Sequence, residues 1–560
     1  MKKPLLSLLL LMQVLSVGAV ERQKLNFNGG WRLQVCDVPR AEQPAFDDSR
    51  WQQVTLPYAF NGSEAFRKDI VDLTDTVCWY RKHFDVTDEQ MQQGKVFIEF
   101  EGARQGADVW VNGQHVGYSD NGVMAFGFDI SPYLLFGENV IAVRCDNSWQ
   151  YRDRELDSRY QWNDRNFNAN YGGLPKNVYL HLTGKLYQTL PLFSNLGTTG
   201  TYIYATDFDI AAHKATVHVE SQVRNEDTKE RSFFLTVVIK DVDGNKVAGF
   251  NGSQVITLKP GETTIAKATQ EVQGLHFWSW GYGYLYTVET CLSSNLKEAT
   301  AENDRVVMRT GFRKTDFRDG KFYLNDRCLM VHGYAQRTSN EWPGTGMSVP
   351  AWLSDYSNGL MVESGGNLVR WMHICPWKQD VESCDRVGLL QAMPAGDAEK
   401  DVDGPRWQQR TQLMRDAIIY NRNNPSVIFY ECGNYRISKE HMEEMKHIRD
   451  LYDPYGGRAI GCREMLDRPE AEYGGEMLYI NKSATKPMWA MEYCRDEGLR
   501  KYWDEWSYPY HQEGEGPLYR ATLLTTTTTT WMCLPARWWS AGMSTGWSVR
   551  ALDVVSLLVV

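Results

Sequence analysis

Two glutamates stand where a run of apolar residues stops. Glu431 follows Ser426-Val427-Ile428-Phe429-Tyr430 and opens the stretch Glu431-Cys432-Gly433-Asn434-Tyr435, and Glu492 ends Pro487-Met488-Trp489-Ala490-Met491. Short apolar runs of this kind read as buried strands. A carboxylate at the end of such a strand is costly to keep ionised unless it does chemistry or is paired with a cation. Spacing leaves both readings open: catalytic work, or an ion pair with an arginine such as Arg370 or Arg495. Metal chemistry is poorly served. The 11 cysteines are scattered without a C-x-x-C pair, so neither a disulfide framework nor a structural zinc site is expected. His441 and His447 lie six positions apart, which does not put them on one helical face as paired ligands.

Both glutamates belong to the part of the chain where the spacing of apolar residues changes. After about residue 308, helical patterns such as Met414, Ala417 and Ile418, or Met442, Met445 and Ile448, alternate with short apolar runs. Ser438 precedes the second pattern and is suited to cap its first amides. Alternation over this length points to parallel βα units, most simply a (β/α)8 TIM barrel over 308–520. Catalytic groups in such a barrel gather at the C-terminal strand ends, where both glutamates fall.

Ahead of the barrel the period is two. Val96, Ile98 and Phe100 share one face of a strand, and Asp108-Val109-Trp110-Val111 runs into the hairpin signal Asn112-Gly113. Residues 22–185 therefore read as an antiparallel jelly-roll β-sandwich. The rhythm recurs over 195–305, where Thr216 to Val223 alternates and Phe233 to Lys240 leads into a turn at Asp241 to Asn245. A unit of that size suggests an immunoglobulin-like β-sandwich. Residues 1–19 read as a signal peptide. Lys2 and Lys3 are followed by an apolar stretch from Leu5 to Val17, too short for a comfortable membrane span, and by the small-residue site Val17-Gly18-Ala19. A periplasmic or secreted protein is expected.

Composition narrows the function further. A chain of 560 residues exceeds what one core organises. With 60 Lys and Arg against 70 Asp and Glu, and no basic run, nucleic acid and anionic membrane are poor partners. The 20 Trp and 29 Tyr offer faces on which sugar rings stack, although large β proteins also carry aromatics for packing.

Taken in order, several short stretches carry a family resemblance: Trp110-Val111-Asn112-Gly113, Phe128-Asp129-Ile130, Gly311-Phe312-Arg313 with Tyr323-Leu324-Asn325-Asp326, Asn367-Leu368-Val369-Arg370-Trp371-Met372-His373, Arg422-Asn423-Asn424-Pro425-Ser426-Val427 with Gly433-Asn434, and Glu492-Tyr493. Together they resemble glycoside hydrolase family two, the β-galactosidase and β-glucuronidase family, over about 25–520. The resemblance implies an exo-acting β-glycosidase, β-galactosidase-like, with β-glucuronidase or β-mannosidase specificity as the alternative. It implies a carbohydrate substrate and no cofactor, and leaves a homo-oligomer open. In that family retention needs two carboxyls about 5 Å apart, one attacking the anomeric carbon and one donating and then removing a proton. By resemblance Glu492 is the nucleophile, and Arg370 is the cation that keeps it ionised. Asn434 would bond the sugar's 2-hydroxyl, an interaction that strengthens in the transition state. His373 either binds a sugar hydroxyl or is a satisfied structural histidine.

Two departures stand out. The acid/base glutamate of the family follows its asparagine directly, and here that position is Tyr435. A phenol, with a pKa of about 10, is a poor proton donor to a glycosidic oxygen and no base near neutrality. Glu431, four residues back, points to the same side of an extended strand but about 13 Å deeper. Three readings follow. Glu431 or a loop carboxylate such as Glu476 supplies the acid, or the chain acts only on glycosides with good leaving groups, or it is a sugar-binding pseudoenzyme. The second departure begins after Arg520, where six threonines, Thr525 to Thr530, lead into a Trp-rich stretch without period. One back-translation of Val549 to Val560, read one nucleotide earlier, gives a hydrophilic, glycine-punctuated stretch similar to the family sequence ahead of its eighth strand. Residues 521–560 are thus expected to be an out-of-frame tail, and the barrel incomplete at its C-terminal end.

Overall fold

The computed structural model describes residues 22–493 apart from 65–71, 88–93, 159–169, 294–303, 338–346, 395–399, 467 and 477–484, together with the backbone of Leu557–Val559. The side chains of 337, 476, 490, 492 and 493 also lie outside the described residues, as do residues 1–21, 494–556 and 560.

The first module is two antiparallel sheets face to face. One has six strands, in the order Gln52–Val54, Trp31–Gln34, Val77–Val86, Gly137–Asp146, Gly106–Val111 and Gln114–Ser119. The other orders Gln23–Asn26, Val178–Gly184, Gly94–Phe100 and Phe126–Asp129. Trp31, Ile98, Phe100, Val109, Val111 and Ile141 fill the space between them. The hairpin signal acts as expected: Asn112 (φ 51°) and Gly113 (φ 79°) both take the left-handed conformation that a tight two-residue hairpin turn requires.

The second module is also a sandwich. Its strand Lys214–Asn225 alternates buried and half-buried residues along its whole length, so one face meets the core. The facing sheet is built on Arg231–Lys240, which turns at Asp241–Asn245 into Lys246–Asn251. Phe233, Leu235, Val237 and Ile239 meet Val217 and Val219 across the interior.

The barrel strands are β1 (His332–Arg337), β2 (Leu368–Met372), β3 (Leu390–Pro394), β4 (Val427–Glu431), β5 (Ala459–Gly461), β6 (Gly474–Glu476) and β7 (Met488–Tyr493). The described helices of the barrel are α1 (Ala351–Glu363), α2 (Lys378–Val387), α3 (Pro405–Asn421) and α4 (Lys439–Tyr452). The Ser438 side chain accepts from His441 N, capping α4 as its position suggested. Neighbouring strands from β1 to β5 pair in parallel, a Gly461–Tyr473 bridge joins β5 to the start of β6, and β6 pairs in parallel with β7. None of the described helices is long and apolar enough to cross a membrane.

The ring closes, and here the sequence expectation of an open barrel is corrected. A short strand β8 (Leu557–Val559), drawn from the tail, lies between β7 and β1. It runs antiparallel to both neighbours, whereas a (β/α)8 barrel needs a parallel eighth strand. Any apolar three-residue strand can satisfy an open edge, so closure by the tail follows from edge pairing and not from βα topology. The proposal that 521–560 is read out of frame predicts that restoring the frame by one nucleotide, with its downstream sequence, converts a poorly soluble product into a soluble one. Resequencing the gene is the cheaper check. A confirmed in-frame tail, with cooperative unfolding of the 560-residue chain, contradicts the proposal.

Candidate active site

Strand β4 is buried at all five positions, as expected of a parallel strand covered on both faces. Its N-terminal end is pinned by arginines from outside the strand. Arg313, of the Gly311-Phe312-Arg313 motif, donates from Nη2 to the Val427 carbonyl at 2.6 Å and from Nε to that of Pro425 at 2.6 Å. Arg458 donates to Val427 O at 3.0 Å and pairs with Asp453 at 2.8 Å, which also accepts from the Tyr430 hydroxyl at 2.9 Å. These bonds fix where β4 starts, and so where its last residue, Glu431, projects.

Glu431 and Arg370 are both fully buried and face each other across the strand ends. Arg370 donates from Nε to Oε2 at 2.6 Å and from Nη2 to Oε1 at 2.7 Å, a two-pronged carboxylate grip. The same Nη2 reaches Asn434 Oδ1 at 2.8 Å, and His373 Nδ1 lies 3.8 Å from Glu431 Oε1. Burial pushes the Glu431 carboxyl up, but the Arg370 guanidinium and the His373 ring more than offset it, leaving the group below the usual carboxylate range. Beneath lies an aromatic floor, Phe429, Tyr473 and Trp489, with ring centres 4.9 to 5.7 Å apart.

After Glu431 the strand stops. A side chain on Gly433 would lie 2.8 Å from the Tyr435 carbonyl and 2.9 Å from Cys462 Sγ, so the corner requires glycine. The Cys462 thiol donates to the Gly433 and Tyr435 carbonyls at 3.0 and 2.7 Å. Arg463 donates from Nε to the Asn434 carbonyl and stands 4.6 Å from the centre of the Tyr435 ring, with the Lys400 ammonium 6.0 Å from it. The extended Glu431-to-Tyr435 spacing expected from sequence is therefore absent, because the strand ends at Glu431 and the chain bends at Asn434 and Tyr435.

Of the expected site residues, Arg370, His373, Glu431 and Asn434 come together, with half-buried Tyr435 at the next position of the chain. Glu431 takes the buried ion pair that its sequence context offered as the alternative to catalysis. The pairing favours its ionised form, which is not the form a general acid uses, and its bonds orient Arg370, which in turn holds Asn434. With Oδ1 accepting from Arg370, the amide NH2 of Asn434 is turned the other way, as a donor to a sugar hydroxyl requires. Glu492 lies at the C-terminal end of β7, on the same rim. Its side chain, and hence the expected Arg370–Glu492 approach, falls outside the described residues, as does the side chain of Glu476. Arg463 was missed by sequence reading. It directly follows Cys462 after the apolar strand β5, the same signal that marked the two glutamates, but on a cation.

Breaking the buried pair is expected to be costly. Glu431→Gln leaves the Arg370 guanidinium unbalanced and should lower unfolding stability by about 3–5 kcal/mol in denaturant titrations. Because the folded pKa of Glu431 lies below the unfolded value of about 4.3, its contribution is complete above that pH and is lost as pH falls through the folded value. Glu431→Gln should flatten that acid limb, and a loss below about 1 kcal/mol would show the pair to be expendable.

Known proteins match this arrangement over most of the chain. The family description "Glycosyl hydrolases family 2, sugar binding domain" fits residues 27–183, "Glycosyl hydrolases family 2" fits 201–313, and "Glycosyl hydrolases family 2, TIM barrel domain" fits 315–472. A β-glucuronidase of Formosa agariphila is 33% identical over 87% of this chain and 50% of its own length. A β-galactosidase of Bacteroides ovatus is 28% identical over 74% of this chain and 46% of its own. A solved β-glucuronidase of the family superposes with a TM-score of 0.77 at 31% identity, over 84% of this chain and 50% of that one. The chain thus spans about half the length of these relatives. With three consecutive modules matched in order and a relative 33% identical over 87% of this chain, the chain belongs to glycoside hydrolase family two.

Proposed function

We propose that this chain is the catalytic part of an exported, exo-acting β-glycosidase that removes a terminal sugar with retention of configuration. Glu492 attacks the anomeric carbon, Asn434 holds the 2-hydroxyl, and Arg370 with Glu431 keeps that amide in place. The observation that carries this reading is the Arg370–Glu431–Asn434 network at the C-terminal rim, on which the β7 end bearing Glu492 also lies. Export rests on the signal-like residues Lys2 to Ala19. For the sugar, a β-glucuronide is favoured over the β-galactoside suggested by the motifs, because the relative at 33% identity and the solved structure at TM-score 0.77 both carry the glucuronidase name.

A second reading is favoured by one residue. Tyr435 follows Asn434 where the family resemblance expects a carboxylic acid, so a sugar-binding relative without turnover is the alternative. A panel of nitrophenyl β-glycosides separates the two. The enzyme reading expects release of nitrophenol from one or more of them. Binding of the sugars without release supports the second reading, and neither binding nor release sinks both.

A further inference from the structure

Among the described residues, Arg104 is an arginine with no counter-charge. It is 5% exposed, its side-chain bond is a long one, Nε to Asn170 Oδ1 at 3.4 Å, and its Nη2 finds no hydrogen-bond partner among the described residues. No carboxylate among the described residues pairs with it, and burial alone pulls the guanidinium down to about 10. The other arginines buried in the sandwich and barrel mostly find a carboxylate or several carbonyls: Arg81 holds Asp48, Arg370 holds Glu431, and Arg313 is wrapped by backbone oxygens. A guanidinium taken out of water with a donor left over is normally removed from a core unless something arrives to use it.

Its place in the fold says what could arrive. Arg104 exchanges backbone bonds with Gly173 at 3.0 and 3.1 Å, within the sandwich segments that lie against the barrel rim. On one side Glu101 accepts from Trp377 Nε1 at 2.8 Å, just beyond the end of β2. On the other, Gln105 donates to the Asp120 carbonyl at 3.0 Å, and the loop that follows buries Val123 and Met124 against Cys375, Met393, Cys432 and Cys462. Tyr171, two residues before Gly173, belongs to a small buried cluster with Ala59 and Leu73 against which Met347 of the barrel packs. Lys176, buried beside Gly102, adds a second cation, with its charge felt at Cys375, two residues past His373. Arg104 therefore sits in the seam where the sandwich covers the same strand ends that carry His373 and Glu431.

We propose that Arg104 is the specificity residue for an oxyanion carried by the terminal sugar, a carboxylate or a sulfate ester, which accepts from its unused Nη2. The planar fork of a guanidinium matches either group, and with no carboxylate partner among the described residues its charge is open to the substrate. This rests on the glycosidase reading and deepens it, since it assigns acid recognition to the sandwich module and not to the barrel.

The test compares 4-nitrophenyl β-glucuronide with 4-nitrophenyl β-glucoside, which differ in carboxylate against hydroxymethyl, and with the glucoside 6-sulfate. Calorimetric binding of the free sugars gives the same comparison independently of turnover. The parent chain is expected to prefer an anionic sugar, the better of the two naming the oxyanion. Arg104→Gln should reduce the anionic-over-neutral preference by about 30-fold or more, chiefly through KM, and Arg104→Lys should restore part of it. Equal losses on charged and neutral sugars, with a lowered unfolding midpoint, would mean that Arg104 is structural and overturn the proposal. A parent that acts on or binds the neutral sugar alone also overturns it, while leaving the glycosidase reading intact. A parent that neither hydrolyses nor binds any of them defeats both.

Discussion

Glu492→Gln is expected to lower turnover of an activated aryl β-glycoside by about 10⁴–10⁶-fold, the scale on which loss of a covalent nucleophile acts. The amide is nearly isosteric, so folding should be spared and the loss should appear in kcat. The residue ends an apolar barrel strand, and its rim is furnished by Arg370, Asn434 and Glu431. Rapid mixing with a 2,4-dinitrophenyl glycoside checks the point: the parent releases dinitrophenol and the variant does not. Undiminished release from the variant removes Glu492 from the mechanism.

Tyr435→Glu carries the second large effect, in the opposite direction. General acid help is worth about 10²–10⁴-fold, and it matters most when the leaving group is a poor one. A sugar leaving group needs the proton and a nitrophenolate does not, so the parent should cleave aryl glycosides while barely touching disaccharides. The variant should raise disaccharide kcat selectively by a factor within that range. Position 435 is half-buried, with Arg463 4.6 Å and Lys400 6.0 Å from the ring, so a carboxylate placed there meets two cations. Those cations favour the ionised form, which suits the base half of the cycle more than the acid half. A more modest gain for Glu than for a Glu with Lys400→Met would follow. If Tyr435→Glu gains nothing on either substrate type, another group already delivers the proton.

Much of this was legible before the structure, and the reasons differ by element. Asn112-Gly113 and Ser438 were readable because turns and caps are local chemistry, decided by two or three residues. The paired β2 and β4 motifs were readable because a charged residue at the end of a buried strand has few reasons to be there. Illegible features depended on distance in sequence. An ion pair with Arg370 was one reading the sequence offered, but it could not choose between the readings, because Arg370 and Glu431 lie 61 positions apart and no period joins them. The bend after Gly433 depends on the Cys462 thiol beneath it, which comes from the next strand. Arg104 carries no signal in the sequence, and its lack of a partner among the described residues appears only in the folded chain. The direction of β8 also escaped the sequence, since apolar composition attracts a segment to an edge without fixing its polarity.

The most direct measurement is covalent trapping. A 2-deoxy-2-fluoro β-glycosyl fluoride slows breakdown of a glycosyl-enzyme more than its formation, so the intermediate accumulates. Incubation of the chain with the fluorinated glucuronide, followed by proteolysis and mass spectrometry, should show a mass increase of one sugar on the peptide that contains Pro487 to Tyr493, localised to Glu492. A label on any other carboxylate, or none from any fluorinated glycoside that binds, contradicts a retaining mechanism through Glu492.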